Sequence, residues 1–503
     1  MSRRGLRLAG FVTLFAFAGA REVTAQVVSI LAEVGDPAPA PAAPATFAQV
    51  GVPAIGPQGT VVFAADLSDG TTSHTVADES LWVAYGGSVA SLALLAREGQ
   101  AAPGTEANTV FATFFEARVA VDANGEVAFN AQLENPVTPL TGGNNTGIFA
   151  GTPGNLRKLA RAGDPCPGIA GQTFNNALGF GVPPSLTAAA LALRGQQAPS
   201  GQQGIWAGVT QPLALVIRTQ TPAAHDPTFT PVGFLYPVVN RLGQLAFVAQ
   251  GAPSRILLGA SAATLTNFVK SGDAPPPAGI ALTLNANTAI GINDSAQLAF
   301  HSSVTSGGND ALWFGTPTDL RIIARQTEQV PAAESGVTWA SFAFDPILVN
   351  NVGTVVFKGS FNGTFTGSGL FTHSDSATAI LTRSDRPLPG SAGNVGAMSA
   401  WSTNGAGETA FMNSALWRGV PSAVQLVAQN GLAFDAGPKG ARTYGALTVS
   451  TGGSANQDGR AGFLSDTGQV VFRALVNPGA HQAVLVSPAE PPVVPAPTLP
   501  YTR

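Results

Sequence analysis

The chain has 503 residues; 45% are hydrophobic, only 11% are charged, and glycine and proline number 59 and 38. A formal net charge of −4 without Lys/Arg clusters excludes a nucleic-acid partner held through phosphates. A single cysteine, Cys166, excludes an intrachain disulfide framework, so the core must hold itself together.

Residues 1–25 read as an export leader. Arg3, Arg4 and Arg7 precede an apolar run at 8–20; Val23-Thr24-Ala25 fits cleavage before Gln26, and Ala18-Gly19-Ala20 is the rival site. That run is too short for a bilayer core of about 30 Å. Ser2-Arg3-Arg4 also resembles a twin-arginine signal, although Arg7 stands where that signal prefers an apolar residue. The expectation is an exported protein: periplasmic, cell-surface or extracellular. Losing the leader's four basic residues and one acid leaves 21 basic against 28 acidic residues.

Residues 26–487 form one unit written eight times. The signature Gly-x-Val-Ala-Phe recurs as GTVVF (59–63), GEVAF (125–129), AALAL (189–193), GQLAF (243–247), AQLAF (296–300), GTVVF (353–357), GETAF (407–411) and GQVVF (468–472). Three residues before its first position stand Asp122, Asn240, Asn293, Asn350, Asn404 and Ser465, with Gly56 and Leu186 as exceptions. Such side chains bond their own backbone two residues on, so Asn-x-x-Gly reads as a turn between strands. Each signature leads to a second short strand such as LWVA (81–84) or ALWFG (311–315). A third follows, of the type LARAGDPCPG (159–168), then a Phe- or Leu-rich strand such as VTWASFAFDPILVN (337–350). No long stretch has helical periodicity. Four short strands per unit predict an all-β protein, a closed β-propeller of eight four-stranded blades. The last unit stops after its second strand near Val486, and the chain begins with a lone third-type strand at 27–39. Joined, they complete one blade and cover its edge. The Phe/Leu-rich strand should then line the channel and the LARAGDP-type strand should lie outermost. Residues 488–503 are Pro-rich and read as an extended tail.

The LARAGDP-type slot holds the residues that invite a functional reading. The place of Cys166 is filled elsewhere by Ala38, Ala102, Ala223, Pro275, Val330, Leu388 and Phe434, which points to packing. Arg97, Arg161, Arg218, Lys270, Arg325 and Arg383 share another place. In a ring they would form an anion-binding collar, or each would pair with the next unit or with an acid three residues on, such as Asp164 or Glu328; the structural alternative is favoured. His74, His225, His301, His373 and His481 occupy unrelated slots without metal-ligand spacing. Asp458 and Asp466, in and after the insertion holding Asn456-Gln457-Asp458-Gly459, are weak calcium candidates. Glu116 and Asp345 fall on inner strands with nothing to pair them. No catalytic residues and no cofactor are read from the chain.

The repeat resembles that of bacterial surface proteins known for an Asn-x-x-Gly…Ala-Phe motif and interchangeable C-terminal anchors. Asn240-Arg241-Leu242-Gly243-Gln244-Leu245-Ala246-Phe247 carries the match, with 293–300 and 404–411 as looser copies, over roughly residues 27–486. The resemblance implies export and surface display, and no reaction; a recognisable anchor is missing here. The reading is a non-catalytic binding or surface-display module for a glycan or surface partner, contacted through loops such as 140–147 and 451–460. A carbohydrate-active hydrolase or lyase at the channel mouth and a structural surface-layer component are the alternatives.

Overall fold

In a computed structural model the described residues are 28–489 except 43, 69–78, 142, 176–184, 209–212, 236, 276–278, 286–287, 306–309, 332, 343–345, 375–376, 390, 392, 422 and 451–457. The leader at 1–25 and all but the first two residues of the 488–503 tail lie outside them. Eight antiparallel sheets follow one another around an axis. Blades 1 to 7 span 46–97, 110–161, 173–218, 233–270, 282–325, 338–383 and 400–429; blade 8 is built from 433–486 and Ser29–Glu33. The ring is closed by the N-terminal strand: Ser29 pairs with Val486 and Glu33 with Ala483. Among the described residues no helix is long and apolar enough to cross a membrane.

Within each blade the strands run inner, second, third, outer, as the repeat order requires. The signature's last residue faces the third strand's large side chain in every blade. The pairs are Phe63–Trp82, Phe129–Phe149, Leu193–Trp206, Phe247–Leu257, Phe300–Trp313, Phe357–Phe371, Phe411–Trp417 and Phe472–Leu485. Such cross-strand pairs stabilise a sheet, and here their outward faces also fill the space between blades. Among the described residues seven apolar clusters occupy the seams, one of them continuous through blades 7, 8 and 1. Burying each large side chain contributes about 1.5–3 kcal/mol.

Every outer strand carries a one-residue bulge at the same height. The extra residues are Leu31, Leu95, Leu159, Val216, Phe268, Ile323, Leu381 and Val427. All eight are buried. They are the first residues of the LARAGDP-type slot, so the repeated apolar letter there marks the bulge. A bulge twists an exposed edge and spoils it as a template for another strand.

Candidate functional site at the propeller axis

The Asn-x-x-Gly turns meet around one mouth of the axis. Asn240 Oδ1 accepts the N–H groups of Leu242 (3.1 Å) and Gln244 (2.9 Å), which makes the turn. The amide nitrogen of the same side chain reaches further, and Nδ2 donates to the Asn293 carbonyl of the next blade at 2.9 Å. Asn293 donates likewise to Asn350 O, Asn350 to Asn404 O, and Asn404 to Ser465 O, at 3.2, 3.0 and 3.3 Å. In blade 3 the hairpin is one residue tighter than the repeat spacing predicts. Thr187 pairs with Ala190 and, rather than Leu186, takes the asparagine's part by donating through Oγ1 to Asn240 O at 3.0 Å. Five successive seams are therefore each bridged by a buried side-chain donor at the turn.

The residue after each asparagine forms a second, outer tier. Arg241 donates from N and Nε to Asp294 (both 2.9 Å), and the Asp294 N–H donates to Asn351 Oδ1 (2.8 Å). Gly405 N donates to Asp466 Oδ1 at 2.6 Å, and Arg241 Nη1 lies 3.6 Å from Asp466 Oδ2. Arg241 belongs to blade 4 and Asp466 to blade 8, opposite in the ring. The arginine therefore spans the mouth and latches it.

Beneath the latch the axis is filled by the chain itself. The insertion before the last signature sends 458–462 out of blade 8. The Asp458 carbonyl accepts from Ser185 Oγ (2.9 Å) and Val239 N–H (3.1 Å), and the Gly459 carbonyl accepts from Leu186 N–H (3.0 Å). Arg460 Nη2 donates to Ile347 O at 3.1 Å, and Ile55 N–H donates to Gly462 O at 2.8 Å. A segment of blade 8 that touches blades 3, 4, 6 and 1 must cross the centre. Inner strands expose unpaired backbone groups to a channel, and this plug pairs several of them. Asp458 is fully buried and its carboxylate is engaged by the Arg460 guanidinium and N–H. The 451–460 stretch, expected as a variable surface loop, thus ends inside the molecule; Asn456 and Gln457 lie outside the described residues.

The weak calcium candidates are therefore placed apart, Asp458 in the plug and Asp466 on the latch. Among the described residues no group of three or more His, Cys, Asp or Glu is arranged to hold a metal ion. Of the basic series, Arg161 is buried and forks onto Glu106, whose carboxyl the guanidinium holds down to about 2. Arg383 pairs with Glu334 and Asp385 and lies over Phe361. These partners come from the loop entering the same blade or from two residues on; Asp164 pairs instead with Lys158 at 2.9 Å. Arg97, Arg218 and Arg325 lie half-buried and Lys270 exposed on the outer strands of blades 1, 3, 5 and 4. Blade 8 has the charges reversed: Glu33 stands in the arginine slot, and Lys439 of the entering loop donates to it at 2.7 Å and to Asp36 at 2.6 Å.

Cys166 sits in the apolar cluster between blades 2 and 3, and burial pushes its thiol up to about 11. His301 is fully buried, 3.4 Å from Asp310, and burial lowers its pKa; His373 is lowered by burial and by Arg321. His225 Nε2 lies 3.4 Å from Asn267 Oδ1, and His481 is exposed. His74, Asp345 and the side chain of Glu116 lie outside the described residues. Sequence reasoning missed the amide chain, the latch and the plug. The polar series Arg241, Asp294, Asn351, Asp466 and the excess length of the last unit were the available signals.

A family profile described as "Family of unknown function (DUF7453)" matches residues 12–257 and 253–422. No curated protein matches the sequence. Among solved structures, a puromycin-hydrolysing peptidase of Mycobacterium tuberculosis is similar at 13% identity and TM-score 0.31, covering 72% of this chain and 58% of that one. Prolyl oligopeptidase B of Galerina marginata is similar at 9% identity and TM-score 0.38, with coverages of 76% and 50%. AofleA of Arthrobotrys oligospora is similar at 10% identity and TM-score 0.27, with coverages of 66% and 86%. The matched region spans about half the length of the two peptidases. At these scores the likenesses carry no statement about activity.

Proposed function

We propose, for a chain that belongs to the DUF7453 family of unknown function, the role of an exported, non-catalytic binding and display module whose partner is a glycan or another surface protein. The closed axis is the observation that carries this reading. At the Asn-turn mouth, Asp294, Asp458 and Asp466 are all committed to backbone N–H groups and arginines of the same chain. A partner is then met by the loops, where binding surfaces usually reside on a rigid scaffold. The leader at 1–25 and the Asn-x-x-Gly…Ala-Phe resemblance support export and display.

The test is a glycan array, run with and without calcium on purified protein lacking residues 1–25, followed by pull-down from isolated cell envelopes. Saturable retention without substrate turnover is expected. Turnover of any member of a panel of glycoside and peptide substrates overturns the non-catalytic reading. Mass spectrometry of the mature N-terminus tests export, with Gln26 expected.

A further inference from the structure

We infer that the axis is a peptide-binding site occupied in cis, with the Asp458-Gly459-Arg460 stretch as a tethered, exchangeable ligand. The inference stands apart from export and display, and its test uses neither. Three features make the axis a recognition site for a short extended peptide. Donors converge on main-chain carbonyls: Ser185 Oγ and Val239 N–H on Asp458 O, and Leu186 N–H on Gly459 O. An acceptor, Ile347 O, receives the arginine side chain from the far side of the ring. A steric filter stands between them. Gly459 has a φ of +77°, and a Cβ there would meet Ser185 Oγ at 2.0 Å and Val239 Cγ1 at 2.9 Å, so only glycine fits. The site therefore reads carbonyl, glycine, arginine, which is how a peptide groove discriminates: backbone bonds give affinity and side-chain restrictions give sequence.

The plug enters from one end of blade 8's inner strand and is joined to the ring at Gly462. A tether of this kind presents its own segment at an effective concentration of the order of mM. It outcompetes a free peptide in the wild-type protein, and weakening it exposes the site. The ligand class is a peptide with an Asp-Gly-Arg core.

Gly459→Ala ejects the plug by steric clash, and Arg460→Ala removes its far anchor while leaving Asp458 buried without a guanidinium. The probe is the capped pentapeptide Asp-Gly-Arg-Ala-Gly, carrying a fluorophore for anisotropy. Wild-type protein is expected to ignore it. Each folded variant should bind it at least tenfold more tightly than wild type does. The peptides Asp-Ala-Arg-Ala-Gly and Asp-Gly-Ala-Ala-Gly should bind at least fivefold more weakly than the probe. Hydrogen exchange gives a second readout: the Leu186 amide, which donates to Gly459 O, should lose protection in the variants and regain it with peptide. A folded variant that does not bind the probe, or binds all three peptides alike, overturns the inference. So does failure of both variants to fold, because the plug is then an obligate part of the fold and not a ligand.

Discussion

Two arcs of the ring solve the same seam differently. From blade 3 to blade 8 each seam at the axis is bridged by a buried side chain donating to the next blade's carbonyl. From blade 8 round to blade 3 the turn positions, Ser465, Gly56 and Asp122, make no such bond among the described residues. The first of these seams is held by backbone bonds, Asp466 N to Pro57 O (3.0 Å) and Ile55 N to Gly462 O (2.8 Å), and by Arg473 Nη1 donating to Val50 O (3.3 Å). At Gly56 a Cβ would lie 2.7 Å from Val121 Cγ1, so blades 1 and 2 meet too closely for a bridging side chain. Asp122 keeps the turn bonds, accepting from Asn124 and Glu126 N–H groups at 2.8 Å, but a carboxylate has nothing to donate. Turn formation and seam bridging are thus separable duties: an amide, or the Thr187 hydroxyl, performs both, and a carboxylate only the first.

The comparison can be broken most forcefully at blade 7, where Glu408 and Arg418 are both buried and the arginine donates to the Gly468 carbonyl of blade 8. Glu408→Ala strands a buried guanidinium, and a loss of about 3–5 kcal/mol is expected in denaturant unfolding. Asn293→Ala removes the single acceptor of two turn N–H groups and the donor of one bridge, for about 2–3 kcal/mol. Asn293→Asp should keep the turn and lose the bridge, costing less than the alanine, while Asp122→Asn should leave the melting temperature unchanged or raise it.

Acidity probes the same arc more gently. His301 and His373 are held neutral by burial, so their folded pKa values lie below the unfolded value of about 6.5. The unfolded chain binds more protons there, and stability should fall as pH drops below about 6.5. A melting temperature that is flat from pH 7.5 to 5.5 contradicts this.

The smallest expected effect is a gain. Ala296 stands where six of the other signatures have a glycine with φ between 79° and 88°, and it adopts φ 57°. Ala296→Gly relieves a left-handed alanine and should stabilise by about 0.5–1 kcal/mol, read as a rise in melting temperature.

The blades were legible because their signals are local and repeated. A Gly-x-Val-x-Phe strand needs a turn before it and a partner after it, and eight copies override the weakness of each. The closure was legible because two incomplete units add to one. What escaped depends on atoms distant in sequence. The asparagines announce a turn two residues on but not an acceptor one blade away. Proximity in sequence points Arg161 to Asp164, whereas the loop before blade 2 brings Glu106 nearer. The bulge was written in the slot's first letter, yet Leu159 reads equally well as an ordinary inward residue until register is known. Asp458 shows how a polar insertion can look like a surface loop while its end is buried.

The pairing of Ser29 with Val486 also fixes an order of events. Ser29–Glu33 leaves the ribosome long before its partner, and the two can pair only once residues 481–486 have been made. Until then Ile30, Leu31 and Ala32 have no sheet to enter, although all three are buried once the ring is complete. Chains halted before residue 481 should therefore display an adhesive start, which chaperones or proteases recognise.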